Sequence, residues 1–301
     1  MTQSSLAPAP SADLADAADL SRRGFVALSV ATGLAGAALP AAAAVPVVEK
    51  DVTIATPDGT CDAAWFHPAT SPGAAVIVWT DAFGLRPSMR DIGRRLAGAG
   101  YAVLVPNPFY RVAKAPVFET AANVDFSKPE TRAKLNPLMG SIGAPGAAEK
   151  DAAAFVAWLD AQPEVDTRRK IGTQGYCMGG ALVLRTAATA NDRIGAGATF
   201  HGGGLVTDKP DSPHTLAPRI HAKLLIAIAG SDDRKQPEAK DKLRQAFADA
   251  KVPATVEVFA DEHGWCVPDM PKAADGKPIY NEADAERAWS ELLALYKAAL
   301  A

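Results

Sequence analysis

Lys170-Ile171-Gly172-Thr173-Gln174-Gly175-Tyr176-Cys177-Met178-Gly179-Gly180-Ala181-Leu182-Val183-Leu184 is the stretch on which the fold turns. Lys170 to Gln174 reads as a short buried strand, and Gly179 to Ala190 as a helix that begins almost at once. Between them Cys177 sits at a tight turn. Gly175 and Gly179, two positions away on each side, relieve the crowding that side chains would cause there. The pattern is G-x-C-x-G, and its place between a strand and a helix is what gives a short glycine motif meaning. A helix N-terminus and a cationic neighbour lower the pKa of a thiol, and a thiolate here would attack an acyl carbon. The backbone N–H of Met178, at the helix start, would then hydrogen-bond the oxyanion. The blander alternative is an inert buried cysteine beside helix-packing glycines.

A nucleophile needs a base and a group to orient it, and both types of residue occur downstream. The apolar strand Leu224 to Ala229 is followed by Gly230-Ser231-Asp232-Asp233, and the strand Thr255 to Phe259 by Ala260-Asp261-Glu262-His263-Gly264. Both segments fall just past strand C-termini, where the active-site loops of open parallel sheets lie. His263 would take a proton from the thiol or from water, and Asp232 or Asp233 would hold its tautomer. Taken singly, the aspartates also read as a helix cap and His263 as a loop residue. His201-Gly202-Gly203-Gly204 has the look of an oxyanion motif. That motif precedes the nucleophile, however, so this one reads as a glycine-rich strand end. His67, His214 and His221 lack metal-ligand spacing, and nothing calls for a metal or cofactor.

Outward from the turn, strands and helices alternate. Val52 to Thr56 and Ala63 to His67 flank Pro57-Asp58-Gly59 as a hairpin. Ala74 to Trp79 and Tyr101 to Pro106 are continuous apolar runs, as expected of strands covered on both faces. Helical stretches are expected at about Pro87 to Ala99, Ala147 to Ala161, Pro237 to Ala250 and Glu282 to Ala299, with further strands at Gly197 to Phe200 and Lys223 to Ala229. This order argues an α/β fold, a mainly parallel central sheet with helices on both faces. Asn107 to about Gly146 is a proline-rich excursion with, at most, short helices, the kind of segment that forms lids and binding loops.

The chain has 301 residues, 48% hydrophobic and 22% charged, with a net charge of −3. No basic stripe with interleaved aromatics marks a nucleic-acid partner. Residues 1–44 read as a leader, and 45–301 as a single domain. Ser21-Arg22-Arg23-Gly24-Phe25-Val26, an apolar run to Leu39 and the small residues Pro40 to Ala44 look like a cleavable twin-arginine export signal. That predicts engagement of the export machinery through Arg22 and Arg23, a periplasmic or secreted location, and no membrane association after cleavage. In such an oxidising compartment the three cysteines, Cys61, Cys177 and Cys266, leave at least one unpaired within the chain. Cys177 is expected to be free. Whether Cys61 and Cys266 bridge is left open, because geometry decides it. Thiol redox chemistry would want a C-x-x-C pair, which is absent.

With these residues in hand the sequence resembles the dienelactone hydrolase family of α/β-hydrolases. The resemblance runs from about Val52 to the last helix. It is carried by Gly175 to Gly180, Asp81-Ala82-Phe83-Gly84, Pro106-Asn107-Pro108-Phe109-Tyr110-Arg111 and Glu262-His263-Gly264-Trp265. It implies a triad of Cys177, Asp232 and His263, with the N–H of Ala82 joining that of Met178 in the oxyanion hole. It places an activating carboxylate at Asp81, where the family has Glu, and substrate contacts at Arg111, Phe83 and Trp265. The second arginine of the family archetype would fall near Val267. The implied activity is hydrolysis of small-molecule carboxylic esters or lactones through an acyl-enzyme. The alternative is a ligand-binding protein of the same fold with a vestigial triad.

Overall fold

The computed structural model describes Met1, residues 45–273 and residues 275–301; the expected export signal, with Arg22 and Arg23, lies outside the described residues. The domain is built on an eight-stranded sheet with the order β1-β2-β4-β3-β5-β6-β7-β8. The strands are β1 (Val47–Thr56), β2 (Gly59–Pro68), β3 (Ala75–Trp79), β4 (Ala102–Pro106), β5 (Ile171–Tyr176), β6 (Ile194–Phe200), β7 (Lys223–Ala229) and β8 (Ala254–Phe259). β1 and β2 form the antiparallel hairpin, longer than the sequence pattern marks, and β2 pairs antiparallel with β4. Every other pairing is parallel.

The two faces of the sheet follow from the two-residue period of a strand. In β3, Ala75, Ile77 and Trp79 join one core cluster and Val76 and Val78 the other. The first cluster takes side chains from α2 (Pro129–Ile142), α3 (Ala147–Asp160), α4 (Met178–Thr189) and α6 (Ala239–Asp249). The second is covered by α1 (Pro87–Gly98) and α7 (Glu282–Ala299). Helices on both sides explain why the central strands are apolar without alternation.

Two elements differ from the sequence reading. The excursion contains α2, a fourteen-residue helix, where only short helices were expected. Only Leu135, Leu138 and Ile142 of it are buried and Pro137 lies inside it, so neither amphipathic periodicity nor propensity announces it. The Asp-Asp segment is not simply a cap: it forms the short helix α5 (Gly230–Lys235) directly after β7.

At the central turn, a Cβ on Gly175 would sit 2.2 Å from the Gly179 carbonyl oxygen, and one on Gly179 would sit 2.6 Å from the oxygen of Trp79 and 2.7 Å from that of Thr80. The start of α4 therefore rests on the exit of β3, with backbone against backbone. Gly179→Ala is expected to lower stability by about 1–3 kcal/mol, the usual scale of overpacking. A urea midpoint equal to wild type would show that the contact yields without cost.

Candidate active site

The candidate residues Cys177, Asp232 and His263 follow the C-terminal ends of three parallel strands. Cys177 follows β5 with φ 51 and ψ −115, outside the regions that side-chain-bearing residues favour. Its N–H donates to the Phe200 carbonyl (3.1 Å), and its own carbonyl accepts from Gly180 (3.0 Å) and Gly203 (2.9 Å). Three backbone hydrogen bonds thus hold a conformation that the residue alone would not choose. Its thiol is free, as are those of Cys61 and Cys266, so no disulfide links the latter two. Burial pushes both of those thiols up, out of reach of the thiolate form at neutral pH.

Asp232 lies in α5 after β7, and His263 in the loop after β8. The register that pairs Ala229 with Phe259 brings both loops to one edge. His263 Nδ1 lies 2.6 Å from Asp232 Oδ2, and the His263 N–H donates to Ser231 Oγ at 2.8 Å. The Cys177 side chain is the other group that favours the charged imidazole. Burial works against a charged imidazole here, but the hydrogen bonds to Asp232 and Cys177 outweigh it and raise His263 from 6.5 to about 10. The neighbouring Asp233 is turned away and accepts from Lys240 Nζ at 2.7 Å. Geometry therefore separates two aspartates that the sequence left adjacent.

Met178 is the first residue of α4, so its N–H has no carbonyl four residues back within the helix. The close approach of Gly179 to Trp79 and Thr80 sets the start of α4 against the backbone that leads into the turn carrying Ala82. Asp81 in that turn is not brought to the thiol. Its carboxylate accepts from Arg86 Nη1 (2.7 Å), Arg86 Nη2 (2.9 Å) and the Phe83 N–H (2.9 Å). Arg86, itself buried, binds Asp269 as well, through Nε (2.8 Å) and Nη2 (2.7 Å). Burial would raise the Asp269 carboxyl, but Arg86 outweighs it and holds it below the ordinary carboxylate range.

The three side chains expected at the substrate all have protein partners. Arg111 forms ion pairs with Asp58 (2.9 Å) and the fully buried Asp151 (2.7 Å) and stacks on Tyr110, so it ties the excursion to β1–β2 and α3. Phe83 is buried among Phe118, Phe126 and Arg86. Trp265 is fully buried and stacks on Phe259. Val267, where a second arginine was looked for, is core.

One neighbour of the site was missed in the sequence. His201, with φ 41, is fully buried, and its ring meets that of His263 edge to face at 4.7 Å and that of Trp265 at 5.4 Å. Burial, and the charge on His263, push it well below its ordinary value, so it is a neutral imidazole. The only signal was its place at the end of a strand next to the elbow strand. Among the described residues no group of acidic, histidine or cysteine side chains is arranged to hold a metal ion.

Known proteins share this fold and sequence pattern. The model of the dienelactone hydrolase family matches residues 61–300. A protein of Methylorubrum extorquens provisionally named carboxymethylenebutenolidase is 29% identical over 93% of this chain and 93% of its own length. The carboxymethylenebutenolidase of Rhodococcus opacus is 28% identical, over 67% of this chain and 74% of its own. Among solved structures, a dienelactone hydrolase-like promiscuous phosphotriesterase from metagenomic libraries superposes with a TM-score of 0.68 at 25% identity, covering 85% of this chain and 99% of its own. The chain thus belongs to the dienelactone hydrolase family, with the α/β-hydrolase fold, and is a hydrolase acting on carboxylic ester bonds.

Proposed function

We propose that this hydrolase works through an acyl-enzyme on Cys177, with His263 as proton carrier and Asp232 as its orienter. The 2.6 Å contact between His263 and Asp232, with Cys177 the other side chain that favours the charged ring, carries this reading. In the first half-reaction the Cys177 sulfur gives its proton to His263 and bonds to the ester carbonyl carbon while the π electrons move to oxygen, facing the N–H groups of Met178 and Ala82. Collapse of the adduct breaks the carbon–alkoxy bond, and the alkoxide takes that proton from His263. Water then attacks the thioester and gives a proton to His263. The sulfur leaves and takes this proton from His263, and the acid is released. One ester and one water become one acid and one alcohol, with the protein restored. Asp81 enters no step, because Arg86 and the Phe83 N–H occupy its carboxylate.

The protein is further read as exported. Arg22-Arg23 ahead of an apolar run supports that, and the free thiol of Cys177 would then face an oxidising compartment. Arg22→Lys with Arg23→Lys is expected to leave the protein in the cytoplasmic fraction of a host with a twin-arginine pathway. Equal periplasmic yield from wild type and variant would refute the assignment.

For the chemistry, Cys177→Ala is expected to cut hydrolysis of an aryl ester on the order of a thousandfold or more. Asp232→Asn should lower kcat by about a hundredfold or more, and Asp233→Asn far less. Full activity in Cys177→Ala, or the reverse order of the two aspartates, would break the scheme. pH gives an independent check. A folded-state pKa raised from 6.5 to about 10 means that His263 contributes stability fully below its ordinary value and loses it as pH rises through about 10. The difference in urea midpoint between wild type and His263→Gln should therefore shrink from about pH 6 to about pH 10. A constant difference would contradict the raised pKa.

A further inference from the structure

Cys177, Ala181 and Arg185 recur at every fourth residue of α4 and so share one stripe of the helix. From the first to the last is about 12 Å, the rise of eight helical residues. Along this stripe runs a cavity of about 420 Å³, roofed by Met139, Ile142 and Pro145 and walled by Leu182 and Pro213. Arg185, the lining residue of this stripe farthest from Cys177, donates to Glu149 of α3 (2.8 Å) and to Asp211 (3.1 Å). With its charge already matched by two carboxylates, Arg185 offers little to an anionic tail, and Lys209 stands at the exposed rim. Cys177 lines the cavity, but His263 does not.

That asymmetry decides what the cavity takes. The leaving alkoxide must receive its proton from His263, so the alcohol part of the ester lies on the His263 side. The acyl part stays on the sulfur and extends to the side away from His263. We propose that this cavity is the acyl subsite and that the substrate class is esters of medium-length apolar carboxylic acids, with Ala181 the residue that sets chain length. The assignment rests on the acyl-enzyme reading above. Ala181, one turn from Cys177, presents a single methyl group midway along the space, where a larger side chain would cut it in two.

The test compares 4-nitrophenyl acetate, butyrate, octanoate and laurate on the full-length protein, on Ala181→Trp and on Ala181→Leu. With wild type, kcat/KM should rise from acetate to octanoate and fall at laurate. The octanoate-to-acetate ratio should drop roughly tenfold or more in Ala181→Trp and less in Ala181→Leu, the scale of excluding methylenes from an apolar pocket. A second measurement needs no turnover. The Cys177 sulfur is labelled with S-methyl or S-octyl methanethiosulfonate, each forming a disulfide and expelling methanesulfinate, and the modified peptide is followed by mass with Cys177→Ala as blank. The octyl reagent should be favoured on wild type and lose that advantage in Ala181→Trp. Ester ratios and labelling ratios that both ignore Ala181 would overturn the acyl-subsite assignment even if Cys177-dependent hydrolysis is confirmed. A chain-length preference in labelling without any ester hydrolysis would instead overturn the catalytic reading and keep an apolar-chain site. If Ala181→Trp does not fold by circular dichroism, Ala181→Leu decides.

Discussion

The start of α4 lies against the last residues of β3 with no side chain between them, and the rest of the site depends on this contact. Backbone this close to backbone can be made only by glycine, so Gly175 and Gly179 are geometric requirements before they are a motif. Once the helix starts there, the residue between strand and helix must take an unfavourable turn, and Cys177 does so at φ 51. Such a conformation costs of order 1–3 kcal/mol and persists only where its surroundings over-determine it. Here the partners are Phe200, Gly180 and Gly203, two of them on or beyond the neighbouring strand β6. The same contact also sets the start of α4 against the backbone that leads into the Ala82 turn.

Charge is handled in separate compartments. Arg86 is buried between Asp81 and Asp269, and the partly exposed Arg111 lies between Asp58 and Asp151, so each guanidinium is matched by two carboxylates. Pairs of this kind add little net stability over apolar packing, but removing one partner leaves a buried charge uncompensated. Their effect is to fix register: Arg86 joins the turn after β3 to the segment around Asp269, and Arg111 joins the excursion to the hairpin. His263 is different: its one carboxylate partner, Asp232, sits 2.6 Å from Nδ1 and is partly open to solvent.

What could be read in the sequence followed from short-range constraints. The apolar runs of β3, β4 and β7 reveal burial on both faces, and the elbow reveals itself because its glycines lie within two residues of the cysteine. The ordered trio of Cys177, Asp232 and His263 was legible because each follows a strand that was itself legible. The roles inferred for Asp81, Arg111, Phe83 and Trp265 depended on what those side chains meet across the fold, and no local pattern encodes that Arg86 and Asp151 claim the charges first. Helix α2 was illegible for another reason. With three buried residues and a proline inside it, tertiary contact rather than propensity holds it. His201 stayed hidden because a buried histidine and a loop histidine look alike until a second ring is placed against it.

Arg185 ties together three pieces of chain: α4, on which it sits, α3 through Glu149, and the segment before Pro213 through Asp211. These pairs are partly open to solvent, with the guanidinium side chain 21% exposed and the Asp211 side chain 65%. Attraction between such groups is screened over about 8 Å at physiological ionic strength and weakens further as salt is added. The part of the cavity wall that Arg185 forms is therefore a latch whose grip depends on the medium, and the space beside Cys177 has a boundary set jointly by the sequence and by the ions around it.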